Sequence, residues 1–134
     1  MVIIVLKVKN NMGYENILNE IWNNPPKNVP NIVNNLKRKY NHTIYEVPDK
    51  AYMLVIELNE GFYGISWVCT KPEYQNKGYM TNLMNKMLKE KKGMFILKTD
   101  SATGFYERFG FTTIQNTNGK YIMALFNDTD CIDF

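Results

Sequence analysis

The stretch Val68-Cys69-Thr70-Lys71-Pro72-Glu73-Tyr74-Gln75-Asn76-Lys77-Gly78-Tyr79-Met80-Thr81 joins two different periodicities. Before it, Phe62 to Val68 is an apolar run with strand character. After it, Met80, Leu83, Met84, Met87 and Leu88 recur at i, i+3, i+4, i+7 and i+8, which is one face of an α-helix. The loop between them has Pro72 near one end and Gly78 at the other. The first N–H groups of a helix have no internal partner and carry the positive end of its dipole. A strand, a tight loop and a helix start therefore predict an anion seat, suited to the pyrophosphate of a bulky cofactor. Its donors are Gln75, Asn76, Lys77, Gly78, Tyr79, Met80 and Thr81, acting mostly through the backbone.

Gln75-x-x-Gly78 by itself is also the pattern of an ordinary solvated turn. A second element follows after one intervening strand: Ala102-Thr103-Gly104-Phe105-Tyr106-Glu107-Arg108-Phe109-Gly110-Phe111. Ala102, Phe105, Tyr106 and Phe109 share a helical face, Ser101 can cap that helix, and Gly110 suits its left-handed stop. Together the two elements resemble the GNAT superfamily of acyl-CoA-dependent N-acetyltransferases. That family carries Gln/Arg-x-x-Gly-x-Gly/Ala at a pyrophosphate loop and a downstream Ala-x-x-x-Tyr-x-x-x-Gly-Phe. The resemblance spans nearly the whole chain.

The surrounding segments give the order β-α-α-β-β-β-α-β-α-β-β. Val2 to Val8 reads as a first strand. Tyr14 to Trp22 reads as a helix ended by Pro25-Pro26, and a second helix opens at Pro30 and runs to Tyr40. Thr43–Val47, Tyr52–Leu58 and Phe62–Val68 read as an antiparallel meander. Met94–Lys98, Phe111–Ile114 and Tyr121–Phe126 complete seven strands, with Asn116 to Gly119 as a polar turn. The expectation is one α/β (α+β) domain over residues 1–134. It is a GNAT-like mixed, mostly antiparallel seven-stranded sheet flanked by about four helices. The tail from Asn127 is acidic and fits no element.

Composition limits the alternatives. A chain of 134 residues supports one modest core. It is 45% hydrophobic and 22% charged, a soluble globular balance, and a formal charge of +3 does not argue for nucleic acid. Nearly all the positive charge is Lys, and Asn is abundant, as in an AT-rich genome. The apolar start is too short for a signal peptide or a membrane span. Cys69 and Cys131 lack metal-type spacing and fit buried thiols in a reducing cytoplasm. A single His, His42, excludes His-rich metal sites and reads as a surface loop residue. No metal ligand set is expected.

The resemblance implies acetyl-CoA as acyl donor and a small-molecule or peptide amine as acceptor. By position it implies that Val68 and Thr70 bond the pantetheine arm through main-chain groups, with the Val68 N–H toward the thioester carbonyl. It implies Tyr106 as general acid for the departing thiolate. A phenol of ordinary pKa ~10 suits that task. Met80 stands where Gly or Ala is usual, but its helical register turns the side chain to the sheet. The strand position that holds a catalytic Glu in several relatives is Gly64 here. Glu57, Asp100, Glu46 or a water relay remain as the base. An Asn common seven residues before the tyrosine is Thr99 here. The acceptor region corresponds to Asn23 to Pro30 and Asn116 to Lys120. Homodimers are common in the family, and the sequence does not decide the point. Two other readings stay open: an acyl-CoA-binding module without catalysis, and an interaction protein whose loop holds nothing.

Overall fold

The computed structural model describes the backbone of residues 4–6 and residues 37–128 in full. The helix expected over Tyr14 to Trp22, most of the next one, the Asn23 to Pro30 segment and Cys131 lie outside the described residues. The end of the second helix is seen at residues 37–39.

Seven strands form one sheet: β1 (Ile4–Leu6), β2 (Asn41–Val47), β3 (Ala51–Asn59), β4 (Phe62–Thr70), β5 (Gly93–Thr99), β6 (Thr112–Thr117) and β7 (Lys120–Asn127). Their spatial order is β1-β2-β3-β4-β5-β7-β6. Every neighbouring pair is antiparallel except β4–β5, which is parallel. That pair needs a crossover, and the amphipathic stretch after the loop supplies it as helix α1 (Tyr79–Glu90). A short helix α2 (Thr103–Glu107) connects β5 to β6.

The core follows the helical register. Met80, Leu83, Met84 and Met87 of α1 are buried against Tyr45, Val47, Met53, Val55, Phe95 and Leu97 of the sheet. Tyr106 of α2 and the adjacent Phe111 join the same cluster. The opposite face of β2 and β3 is also closed, with Ile44, Tyr52 and Leu54 fully buried.

Two local devices shape β4. Leu54 opposes Trp67 while Val55 opposes Ile65, so Ser66 is an extra residue, a β-bulge. The bulge resets the side-chain alternation. Ile65 and Val68 both lie on the α1 face, whereas Cys69, opposite Tyr52, lies on the other. The parallel ladder to β5 runs only from Phe62↔Met94 to Ile65↔Leu97. Beyond the bulge β4 leaves β5, and a cleft opens between the two strand ends.

Several expected boundaries move. The Asn116 to Gly119 turn tightens to Asn118-Gly119, both at positive φ, because Asn116 and Thr117 continue β6. Asn127 belongs to β7 and not to the tail. It is buried and donates both amide hydrogens, to the carbonyls of Leu88 and Lys91, at 2.8 Å each. Ser101 does not cap α2; the Thr99 hydroxyl instead accepts from the Ala102 N–H at 3.1 Å. His42 lies within β2 and is half-buried, not in a loop. Among the described residues no helix is long and apolar enough to cross a membrane.

Candidate active site

The site begins where β4 ends. A turn of 3-10 helix, Pro72–Tyr74, reverses the chain after β4. Tyr74 N–H bonds the Lys71 carbonyl at 2.9 Å and Gln75 N–H bonds the Pro72 carbonyl at 3.3 Å. Asn76 at φ 61° and Gly78 at φ 82° then turn the backbone through left-handed conformations into α1. The first bond of α1 runs from Asn82 N–H to the Gly78 carbonyl at 3.0 Å. The N–H groups of Tyr79, Met80 and Thr81 therefore precede the helical ladder, at the positive end of the helix dipole. A Cβ on Gly78 would meet nothing within 4 Å, so the backbone there faces open space.

The cleft between the splayed ends of β4 and β5 has a volume of about 970 Å³. One wall is β4 from Ile65 to Thr70, and the other is Leu97 to Ala102. Gln75, Asn76, Gly78, Tyr79, Met80 and Thr81 line the α1 end. Phe105, Tyr106 and Arg108 close it from α2, and Lys120 from the start of β7. The predicted residues Val68, Thr70, Gln75, Asn76, Gly78, Tyr79, Met80, Thr81 and Tyr106 thus share one cavity. Lys77 is the exception: it is exposed and does not line the cleft.

Several side chains are held by the site itself. Gln75 Nε2 donates to the Thr70 carbonyl at 3.2 Å, which ties the loop to the end of β4. A carbonyl has two lone pairs, so this bond leaves one acceptor site on Thr70. Met80 packs into the core and also borders the cleft. Tyr74 and Tyr79 meet edge to face at 5.9 Å, with Lys50 Nζ over both rings at 5.3 and 5.4 Å. Arg108 lies over the Phe105 ring at 5.1 Å.

Tyr106 is 7% exposed, packed edge to face against Phe105 and Phe111 at 5.2 and 5.9 Å. Burial raises its phenol to about 12. Burial also pushes the Cys69 thiol up to about 12, with the nearby Trp67 opposing the shift. Of the three carboxylates named as bases, only Asp100 borders the cleft. Glu57 lines a separate cavity of about 160 Å³ with His42, Tyr63 and Lys91. Glu46 lies on β2, raised above the ordinary carboxylate range by burial and then by Asp49. Gly64, opposite Ile56, is buried with a Cβ position only 3.3 Å from Ile56 Cγ1, so no longer side chain fits there unaltered. Among the described residues no group of three or more His, Cys, Asp or Glu could hold a metal.

Ser66, Trp67, Lys98, Ser101 and Arg108 line the cleft but carry no motif. Lys98 had one available signal: it lies near the carboxyl end of β5, which runs parallel to β4, and ligands gather at the carboxyl ends of parallel strands. Ser66 had none, because a bulge is defined by the partner strand.

The acetyltransferase (GNAT) domain family model matches residues 40–113. Solved structures share the architecture. Aminoglycoside 6'-acetyltransferase type Ii is 17% identical with a TM-score of 0.76, over 96% of this chain and 98% of that one. Tetrahymena GCN5 is 17% identical with a TM-score of 0.72, over 100% of each chain. A GNAT family acetyltransferase from Elizabethkingia anophelis, solved with acetyl-CoA bound, is 11% identical with a TM-score of 0.66, over 92% and 96%. At these identities the likeness is one of fold. Among curated protein sequences none is significantly similar to the chain.

Proposed function

The chain belongs to the GNAT acetyltransferase family, and from that premise we propose that it transfers an acetyl group from acetyl-CoA to a primary amine by direct attack in a ternary complex. One observation carries the reading. β4 parts from β5 directly after Ile65↔Leu97, and the cavity so formed joins the start of α1 to the Tyr106 ring. That arrangement gives each chemical need a place. The pyrophosphate sits on N–H groups of residues 75–81, with the Gly78 backbone open to it. The pantetheine arm pairs along Val68 and Thr70, as an added strand would. The thioester then reaches the depth of the cleft, where Tyr106 faces the sulfur.

Tyr106 keeps its proton at neutral pH, because burial disfavours the phenolate. The same burial weakens it as an acid. Full transfer to a thiolate of ordinary pKa ~8.5 is uphill by roughly 5 kcal/mol. Tyr106 acts chiefly as a hydrogen-bond donor to sulfur as charge develops there. Asp100 takes the amine proton, directly or through water, a role supported by its being the one of the three candidate carboxylates that borders the cleft. Cys69 makes a poor acyl carrier, since its thiol is buried on the other face of β4 and raised to about 12.

The test measures release of free CoA thiol from acetyl-CoA with a panel of amines. Amine-dependent release supports transfer. Binding of acetyl-CoA with no release on any amine would instead make the chain a non-catalytic acyl-CoA module. Absence of thermal stabilisation by acetyl-CoA would remove the donor site, since ligand at 100 times its Kd adds ~2.7 kcal/mol.

A further inference from the structure

We infer that the acceptor carries an anionic group, a carboxylate or phosphate, beside its amine, and that Lys98 and Lys120 recognise it. This rests on the acetyl-transfer reading and names the substrate class for the same cleft. Among the described residues, the charged ones lining the cleft are Lys98, Arg108, Lys120 and Asp100. They are not on one side. Leu97 and its partner Met123 belong to the α1-side core, so Lys98 and its partner Ile122 occupy the opposite face of the sheet. Lys120 lies two residues before Ile122 on β7 and shares that face. Arg108 instead follows α2, whose Tyr106 packs in the α1-side core.

The donor's phosphates belong with the start of α1, where the loop N–H groups lie, and among the cleft-lining cations Arg108 is on that side. Lys98 and Lys120 stand across the sheet from it. They line the cleft from the face away from α1, the side left to the second substrate if the donor lies along α1. Both are exposed, and neither appears in a salt bridge among the described residues. Trp67, paired with Leu54, gives that face of β4 an apolar ledge. Among the described residues Asp100 is the one carboxylate lining the cleft, and it is already needed for the ammonium proton. A wall of two ammonium groups and one carboxylate disfavours a polycation such as a polyamine. It suits an amine whose own negative charge meets a lysine while its nitrogen meets Asp100.

The test uses matched acceptors on the full chain: butylamine with 4-aminobutyrate, ethanolamine with phosphoethanolamine, and spermidine as polycation. The carboxylate and phosphate arms separate the two sources of negative charge. The expected result is a kcat/KM for at least one anionic member about tenfold above its neutral match, a size reached by two exposed charge contacts together. The preference should shrink with added salt. Lys98→Gln/Lys120→Gln should bring the ratio of kcat/KM between each anionic amine and its neutral match close to one, a change in selectivity that a folding defect, which lowers both alike, would not produce. Equal or better use of the neutral amines or of spermidine overturns the inference. The same probes are titrated into CoA-loaded protein by NMR. Preferential binding of the anionic members, lost in the double variant, supports the site even if none of these small amines is turned over, and equal binding overturns it. If acetyl-CoA neither binds nor is consumed while the anionic probes still bind preferentially to the free protein, the transferase reading fails and the anion site stands.

Discussion

Tyr106 shows how a single residue's setting determines what it can do. Its ring is packed against Phe105 and Phe111, and the residue borders the cleft. Tyr106→Phe should therefore leave packing and acetyl-CoA affinity nearly unchanged, within about threefold. If the hydroxyl bonds the sulfur as it becomes a thiolate, its loss removes a charge-assisted hydrogen bond worth ~1.5–3 kcal/mol. Turnover should fall roughly 10–100-fold. A wild-type rate would make Tyr106 a core tyrosine and nothing more. The raised pKa adds a stability signature. Above pH ~10 the unfolded chain ionises this phenol while the folded one retains the proton until about 12. Stability from this group is present below pH ~10 and is lost between there and about 12, so the Phe variant should show a shallower alkaline decline in that window. At this scale much was legible in the sequence. The helical registers alone turn Met80 and Tyr106 inward, and both are buried. What register could not give was which of Glu46, Glu57 and Asp100 borders the cleft, because strand pairing decides that.

Among the elements, α1 shows the same division. Its apolar face is written at i, i+3, i+4 and i+7, and its start is marked by Gly78. Gly78 has φ 82°, a conformation costly for other residues, and open space where a side chain would project. Gly78→Asp should keep the fold at a cost of about 1–2 kcal/mol for the left-handed backbone. It should weaken acetyl-CoA binding at least about tenfold, because a carboxylate would then stand beside the pyrophosphate. Unchanged affinity by calorimetry would remove the phosphate from this loop. The other end of α1 was not legible. Its last carbonyls are capped by Asn127, 39 and 36 residues away in sequence, from the final strand. No local pattern marks a buried Asn as a cap for a distant helix. Asn127→Ala should cost about 1–3 kcal/mol, the penalty for taking its amide donors from two part-buried carbonyls. Lys92 Nζ also donates to the Leu88 carbonyl at 2.9 Å, so the lower part of that range is expected. Chemical denaturation measures it, and no change in midpoint would show that water replaces the amide.

For the whole molecule, the sheet works as a hinge-shaped frame that is closed at one end and open at the other. The single parallel pair follows from the α1 crossover between β4 and β5, whereas the insertion of β7 between β5 and β6 is not written in the order of elements. Nor is the position of the opening. It depends on the Ser66 bulge and on where the β4–β5 ladder stops, which are properties of paired strands. The closed end is fixed by two glycines. Met94 N–H bonds the Gly61 carbonyl at 2.9 Å, and Gly93 has φ 136° with its Cβ position only 2.3 Å from that oxygen. Real Cβ atoms do not approach so closely, so Gly93→Ala must push the β3–β4 turn away from the start of β5. The parallel ladder has four partner pairs, and a shift at its first one changes the angle at which β4 leaves β5. We expect a loss of at least about 2 kcal/mol in stability, combining unfavourable φ with the clash. In the protein that remains folded, acetyl-CoA binding should weaken although the substitution touches no cleft residue. Gly61→Ala provides the control, because Gly61 has φ 70° but nothing within 4 Å of its Cβ position. It should cost about 1 kcal/mol from backbone conformation alone and leave the donor site intact. Denaturation midpoints and calorimetry on the two variants decide the matter. If Gly93→Ala is no more harmful than Gly61→Ala in both measurements, the glycine contact does not set the opening of the cleft.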